Sequence, residues 1–303
     1  MSSHSYIENS KNNDIFININ GELFSRDEAK ISVFDSGFLL GDGVWEGIRL
    51  HNSTLVFIHE HLDRLFQSAH GISLNIPLSK EEIIFEIEKV LTKNSMKDNV
   101  HIRLIITRGN KITPYQNPNA NLGPINFVII PEHKKTNPKI YKNGITIGRV
   151  KTIRPPDNIL STHYNTLSKL NCILASIEAN NLNYNEGIMN DPNGNISTCN
   201  STNLFFIKEN KVLTSKGKYC LNGITREKAI NICHSNNIPI FEEDFTFNDI
   251  FDCDEAFVTG TFAGVIPVSK IESRVLKSTN SDSLANRIRF LYNKKIQEEI
   301  NNL

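Results

Sequence analysis

Three short stretches of the chain combine residue types that suit the binding of an anion. Gly223-Ile224-Thr225-Arg226 stands where a helix is predicted to begin, with Thr225 as the expected N-cap residue. Backbone N–H groups and the positive end of the helix dipole favour an anion at such a start. Thr259-Gly260-Thr261 is a small turn after a predicted strand, and Arg64 lies beside the apolar stripe of a predicted helix. Taken singly, an ordinary capped helix, a turn and a solvated arginine also explain them.

Short strands and helices alternate in the part of the chain that contains Arg64. The run FININGELF predicts a β-hairpin because Asn20-Gly21 is a strong two-residue turn signal. Ser79 and Glu82 have the spacing of a capping box and predict the start of a helix. The other predicted elements are the helix HEHLDRLFQSAHGI, the helix IIFEIEKVL and the strands VHIRLIITRG and INFVIIP.

A polar, lysine-bearing stretch, PEHKKTNPK, follows these elements and predicts a domain boundary. A chain of 303 residues is long enough for two moderate domains. We expect a small N-terminal α/β domain at residues 1–132, an interdomain linker at 133–140 and a larger C-terminal domain at 141–303. The predicted fold class is α+β.

Composition excludes several classes of function. The chain has 33 basic and 33 acidic residues without a long run of one sign, so we expect no nucleic acid and no membrane as partner. Its 5 cysteines form no CxxC pair and its 9 histidines no HExxH motif, so no metal site is predicted. The polar start MSSHSYIENSKNND differs from a signal peptide, and no apolar stretch is long enough to span a bilayer. We expect a cytoplasmic protein that acts on small molecules.

Six motifs follow one another in a fixed order along the chain. They are GDGVWEGIRL, FIHEHLDRL, NEGIMNDPNGNIS, STNLFFI, LNGITRE and FVTGTFAGVIPV. The ordered series is far more specific than any one motif. By this series the chain resembles the class IV, fold-type IV pyridoxal-phosphate enzymes, which include branched-chain and D-amino-acid aminotransferases and aminodeoxychorismate lyases.

The resemblance implies a fold, a cofactor and an oligomeric state. It implies a small N-terminal and a larger C-terminal domain with pyridoxal 5′-phosphate (PLP) or pyridoxamine 5′-phosphate (PMP) between them, and a homodimer. Arg64 would pair with the cofactor phosphate, which the backbone amides of Ile224 and Thr225 and the hydroxyl and amide of Thr261 would also bind. Asn203 is expected among the cofactor-binding residues.

Two positions depart from the family pattern. Family members carry a lysine whose amine holds the cofactor as a Schiff base, and an alignment without gaps from Arg154 through Ile177 places Asn165 there. An amide cannot form that bond. The carboxylate that normally faces the pyridine nitrogen is replaced by Thr198, which can donate a hydrogen bond but carries no charge. Two coordinated replacements favour a natural subgroup over an engineered change or an alignment slip.

Lys169 is the candidate replacement for the missing amine. If a helix ran from Asn165, Lys169 would lie one turn further on the same face, and its side chain would lean back toward Asn165. The alternative is a lysine that faces solvent.

The resemblance also suggests residues that contact the substrate. Strand alternation places His101 and Arg103 on one face, where branched-chain aminotransferases have a tyrosine and an arginine. Arg103 can hold a carboxylate through two parallel hydrogen bonds, and a structural salt bridge is the alternative. Leu40 and Phe262 would supply apolar surface near the substrate side chain.

The implied activity is transfer of an amino group between a small amino acid and a 2-keto acid. Two hypotheses remain open. In the first, Lys169 replaces the Schiff-base lysine of an aminotransferase or a related lyase or racemase. In the second, the chain binds PLP or PMP without a covalent lysine bond and is either a lysine-independent enzyme or a non-catalytic binding protein. Substrate identity and handedness stay open.

Overall fold

The computed structural model describes residues 3–301, which fall into two compact units. The N-terminal unit comprises Ile7–Lys135 and Tyr164–Lys169. The C-terminal unit comprises residues 3–6, Thr136–His163 and residues 170–301. The segment that contains Asn165 thus belongs to the N-terminal unit, although its neighbours in sequence on both sides belong to the other. The division into an N-terminal domain at residues 1–132, a linker at 133–140 and a C-terminal domain at 141–303 stays a prediction.

The N-terminal unit is built on one antiparallel sheet. Its elements are β2 (Phe16–Ile19), β3 (Glu22–Ser25), α1 (Ser36–Leu40), β4 (Gly43–His51), β5 (Thr54–Val56), α2 (Ile58–Gly71), α3 (Lys80–Lys93), β6 (Val100–Thr107), β7 (Asn110–Lys111), β8 (Asn121–Leu122) and β9 (Asn126–His133), and at its ends lie β1 (Tyr6–Ile7) and β10 (Lys135–Thr136). The six-stranded sheet has the order β3-β2-β9-β6-β4-β5. Its core consists of alternate residues of β4 and β6 together with the apolar faces of α2 and α3.

Local signals predicted this unit well. Asn20 and Gly21 both have positive φ angles, 53° and 87°, as a two-residue hairpin turn requires. The Ser79 side chain accepts a hydrogen bond from the Glu82 N–H, and the Glu82 carboxylate accepts one from the Ser79 N–H, which confirms the capping box.

A nine-stranded mixed sheet organises the C-terminal unit. Its elements are α4 (Lys139–Asn143), β11 (Ile145–Arg149), α5 (Leu170–Asn181), β12 (Glu186–Asn190), β13 (Ile196–Cys199), β14 (Asn203–Lys208), β15 (Lys211–Thr214), α6 (Ile224–Ser235), β16 (Ile240–Glu242), β17 (Glu255–Gly260), β18 (Gly264–Ile271), β19 (Arg274–Val275) and α7 (Leu284–Asn301). The order is β13-β12-β11-β18-β17-β14-β15-β16, with β19 beside β18. Strands β11–β12, β11–β18 and β15–β16 are parallel. Mixed strands and helices confirm the α+β class.

The start of α5 differs from the prediction. The helix begins at Leu170 rather than at Asn165, so Asn165 and Lys169 do not share a helical face. The apolar side chains of Leu170, Leu174 and Ile177 are 67%, 48% and 51% exposed, whereas the helix buries small side chains such as Ala175.

Within residues 3–301, no helix is long and apolar enough to cross a membrane. The same residues contain no group of three or more His, Cys, Asp or Glu side chains arranged to hold a metal ion.

Candidate active site

Strand β4 fixes the backbone around Asn165. The Trp45 N–H donates to the Asn165 carbonyl at 3.0 Å, and the Leu167 N–H donates to the Gly43 carbonyl at 2.9 Å. Val44 and Thr166 form a β-bridge between these two bonds. Residues 165–167 are therefore paired with β4, and this pairing explains why the predicted helix does not include them.

The Asn165 side chain is fully buried and held on one side. Its Nδ2 donates to the Trp45 carbonyl at 2.8 Å, and its backbone N–H donates to the Ser68 hydroxyl at 3.0 Å. Asn165 is 1% exposed, and its Oδ1 has no hydrogen-bond partner among the residues that the structure describes. Position 165 therefore presents a buried hydrogen-bond acceptor.

The Trp45 indole connects Asn165 with two cations. The Arg103 guanidinium carbon lies 3.8 Å from the ring centroid, and Lys169 Nζ lies 5.7 Å from it. The indole N–H donates to the Thr166 carbonyl at 3.1 Å, which holds the ring against the Asn165 segment. Lys169 and Asn165 thus both contact Trp45, Lys169 at the indole and Asn165 at the backbone, and no helical turn connects them.

Arg103 lies on the predicted face of β6. Strand register opposes Gly47 to Arg103 and Arg49 to His101, so these residues share one face of the sheet. Burial lowers the pKa of Arg103, while the charges of Glu132 and Glu46 act in the opposite direction. In the described part of the chain, Arg103 forms no ion pair with either carboxylate, so the salt-bridge alternative is not observed.

A buried carboxylate holds Arg64. The Nε and Nη2 atoms of Arg64 donate to the two oxygens of Glu46, both at 2.8 Å, and His61 Nδ1 lies 2.8 Å from Glu46 Oε2. Burial alone would raise the pKa of Glu46, but the charge and hydrogen bonds of Arg64 and the contact with His61 lower it to about 2. Glu46 therefore stays ionised and fixes one edge of the Arg64 guanidinium. The predicted contact of Arg64 with a phosphate stays a prediction.

The start of α6 lacks a side-chain cap. Gly223 is the N-cap residue, so the prediction of Thr225 as N-cap is wrong. A glycine offers no oxygen to the first-turn N–H groups, and both Ile224 and Thr225 are buried. Asn203 fixes the segment that precedes this helix, because its Nδ2 donates to the Leu221 carbonyl at 2.9 Å. A buried, uncapped helix start fits an anion.

Tyr292 in α7 was missed by the sequence analysis. Its hydroxyl lies 3.4 Å from Thr225 Oγ1. Its ring packs so closely on Gly264 that a Cβ added at that glycine would lie 2.7 Å from Tyr292 Cε1. Thr261 is half-buried, and the turn that contains it ends at Gly264. Tyr292 therefore contacts both the helix start and this turn, and no motif in the sequence pointed to it.

Glu186 is a second buried carboxylate that the sequence analysis did not identify. It accepts hydrogen bonds from the Ser3, Ser201 and Thr202 hydroxyls. The Thr198 hydroxyl donates to the Thr202 carbonyl at 2.8 Å. Because that donation uses its proton, Thr198 can offer only its oxygen lone pairs to a further partner. The contact of Thr198 with a ring nitrogen stays a prediction.

The remaining predicted residues lie in two places. Leu40 ends α1 and is 42% exposed, which leaves apolar surface accessible in the N-terminal unit. Phe262 is buried in the C-terminal unit, where its ring stacks on His4 with a centroid distance of 6.1 Å.

Comparison with known proteins defines the class. The Amino-transferase class IV family model matches residues 43–271. The chain is 38% identical over 280 residues to branched-chain-amino-acid aminotransferase-like protein 2 of Arabidopsis thaliana, which covers 91% of this chain and 49% of that protein. It is 31% identical to a D-alanine aminotransferase of Listeria monocytogenes, covering 84% of this chain and 86% of the relative. The chain belongs to the class IV aminotransferase family.

Solved structures share this fold. The branched-chain aminotransferase of Thermoproteus uzoniensis with norvaline matches with a TM-score of 0.84 at 25% identity, covering 94% of this chain and 96% of that one. The T.th. branched-chain amino acid aminotransferase with pyridoxamine 5′-phosphate matches with a TM-score of 0.86 at 25% identity, covering 94% and 95%. The fold is therefore fold type IV. The chain spans about half the length of the two Arabidopsis relatives it matches.

Replacing Glu46 by Gln tests the buried ion cluster. Because the folded pKa of Glu46 is about 2 and its ordinary value is 4.5, the ionised carboxylate stabilises the fold above pH 4.5. That contribution is lost as the pH falls from 4.5 to about 2. We expect Glu46→Gln to lower the free energy of unfolding by about 3 kcal/mol at pH 7 in urea titrations, and by less as the pH approaches 2.

The control Glu88→Gln, on an exposed part of α3, should have little effect. An equal loss at neutral and at strongly acidic pH would contradict this assignment.

Proposed function

We propose that this chain binds a phosphorylated form of vitamin B6, PLP or PMP, and transfers an amino group between a small amino acid and a 2-keto acid. The buried, uncapped start of α6 carries the proposal. The first-turn N–H groups there have no side-chain partner, and a phosphate supplies one. Membership of the class IV family supports the choice of a B6 phosphate.

Several residues serve the cofactor in this proposal. Ile224 and Thr225 donate backbone N–H groups to the phosphate, and Arg64 and Thr261 add a guanidinium and a hydroxyl. Thr198 accepts a hydrogen bond from a protonated ring nitrogen. The bound cofactor supplies an electron sink and the group that carries nitrogen between substrates. A homodimer and a cytoplasmic location belong to the same proposal.

Arg103 and His101 hold the substrate carboxylate, and Leu40 and Phe262 contact its side chain. Stacking on Trp45 orients the Arg103 guanidinium, and its hydrogen-bond donors need an anionic partner that the described residues do not supply. The apolar character of Leu40 and Phe262 favours a small apolar substrate side chain.

We expect Arg103→Met to raise KM for the keto acid by about 10- to 100-fold, because a charged hydrogen bond is lost. Steady-state kinetics with several keto acids would measure this. Lys93→Met is a matched control, because it removes a cation 4.3 Å from the Phe16 ring elsewhere in the unit. An unchanged KM in Arg103→Met would show that another residue binds the substrate carboxylate.

Lys169 is the amine that we propose for covalent attachment of the cofactor aldehyde. Its proximity to Asn165 through Trp45 supports this role. Borohydride reduction of the protein loaded with PLP, followed by peptide mapping, should place the pyridoxyl group on Lys169. Lys169→Met should abolish the adduct, and Lys139→Met, at an exposed position, should not. An unmodified Lys169 would exclude the covalent role.

A second candidate function is lysine-independent use or carriage of PLP or PMP. The observation that favours it is the buried amide of Asn165, the residue that the alignment assigns to the family's lysine position, because an amide cannot form a Schiff base. In this case the borohydride experiment yields no adduct although the ligand binds.

Tyr292→Phe tests the phosphate contacts separately. The ring against Gly264 is kept, and only the hydroxyl near Thr225 is lost. We expect the Kd for PMP to rise about 3- to 10-fold in calorimetric titrations, because the Tyr292 hydroxyl no longer holds Thr225, whose backbone N–H donates to the phosphate in our proposal. Affinity for pyridoxamine, which lacks the phosphate, should not change. Tyr115→Phe, at an exposed position, is the control, and equal losses for both ligands would contradict a role at the phosphate.

A further inference from the structure

The orientation of the Asn165 amide is fixed by its surroundings. Nδ2 lies 2.8 Å from the Trp45 carbonyl. The flipped amide would place Oδ1 against that carbonyl, with two acceptors facing each other and no proton between them. Oδ1 is therefore the atom that faces away from β4.

Oδ1 is left without a donor in a buried place. Asn165 is 1% exposed, and no N–H or O–H group of the described residues reaches Oδ1. A buried polar atom without a partner costs free energy, and a bound group that donates to it removes this cost. The ligand group that satisfies Oδ1 must be a hydrogen-bond donor.

PLP and PMP differ at one carbon atom in whether the attached group can donate a hydrogen bond. At the 4′ position, PLP has an aldehyde, which is only an acceptor, and PMP has an amine, which is a donor and carries a positive charge when protonated. We propose that Asn165 makes the site selective for the amine form, through a hydrogen bond from the 4′-amine of PMP to Asn165 Oδ1. This inference rests on the proposed function and holds whether or not Lys169 attaches the aldehyde form.

Four ligands that differ only at the 4′ position test the selectivity. They are PMP (amine), pyridoxine 5′-phosphate (hydroxyl), 4-deoxypyridoxine 5′-phosphate (methyl) and PLP (aldehyde). Calorimetric titration of the wild-type chain should give PMP the lowest Kd, roughly 10- to 100-fold below the methyl analogue, with the hydroxyl analogue between them. PLP is titrated in Lys169→Met, so that a covalent bond does not contribute, and should bind no better than the methyl analogue.

A variant assigns the effect to Asn165. Asn165→Leu keeps the size of the side chain and removes Oδ1, so the advantage of PMP over the methyl analogue should fall to about 3-fold or less. Asn119→Leu, an exposed asparagine of the same unit, should keep the wild-type order. Because Asn165→Leu also removes the donor to Trp45, circular dichroism and thermal unfolding must show that it folds. If it does not fold, the comparison of PMP with the hydroxyl and methyl analogues on the wild-type chain, together with PLP on Lys169→Met, decides alone.

The outcomes separate this inference from the function on which it rests. Equal affinity for all four ligands overturns the selectivity and leaves cofactor binding intact. Selectivity that persists in a folded Asn165→Leu variant also overturns it. Failure of the chain to bind any of the four ligands refutes the proposed function and therefore also this inference.

Discussion

The hydrogen bonds between Asn165 and Trp45 are the interaction on which the account of this site depends. They run in both directions, from the Trp45 N–H to the Asn165 carbonyl and from Asn165 Nδ2 to the Trp45 carbonyl. Together with the Val44–Thr166 bridge, they pair residues 165–167 with β4. As a result, α5 starts only at Leu170, and the Asn165 side chain has a fixed orientation. The chemistry available at position 165 follows from this backbone pairing.

The two positions at which the chain departs from its family share one physical property. Asn165 and Thr198 are neutral, and each uses its donor inside the protein, Asn165 toward Trp45 and Thr198 toward Thr202. Thr198 therefore has only acceptor capacity left, and Asn165 has an unpartnered acceptor, Oδ1, beside its second N–H. In our proposal, a ring nitrogen that carries a proton and an amine at the 4′ position both supply donors.

Local sequence signals predicted most of the N-terminal unit, because the interactions they depend on are short in sequence. The Asn20-Gly21 turn and the Ser79–Glu82 capping box each involve neighbouring residues, and both were confirmed. The family motifs also indicated the fold correctly. The start of α5 was mispredicted because Thr166 pairs with Val44, which is far away in sequence. No periodicity in the segment itself contains that information.

Within the site, sequence reasoning located residue types better than their partners. It singled out Arg64, but not Glu46, which holds the Arg64 guanidinium. It identified Thr225, but assigned it a capping role that belongs to Gly223, and it did not find Tyr292. These partners come from other elements of the fold. Their roles become visible only when the strands and helices are placed together.

Native mass spectrometry of the purified chain with PMP tests the central claim most directly. The account predicts one PMP molecule per chain, saturable and released when the protein is denatured, because the phosphate and the amine are both held without a covalent bond. A chain that stays free of ligand at saturating PMP while remaining folded would contradict the account.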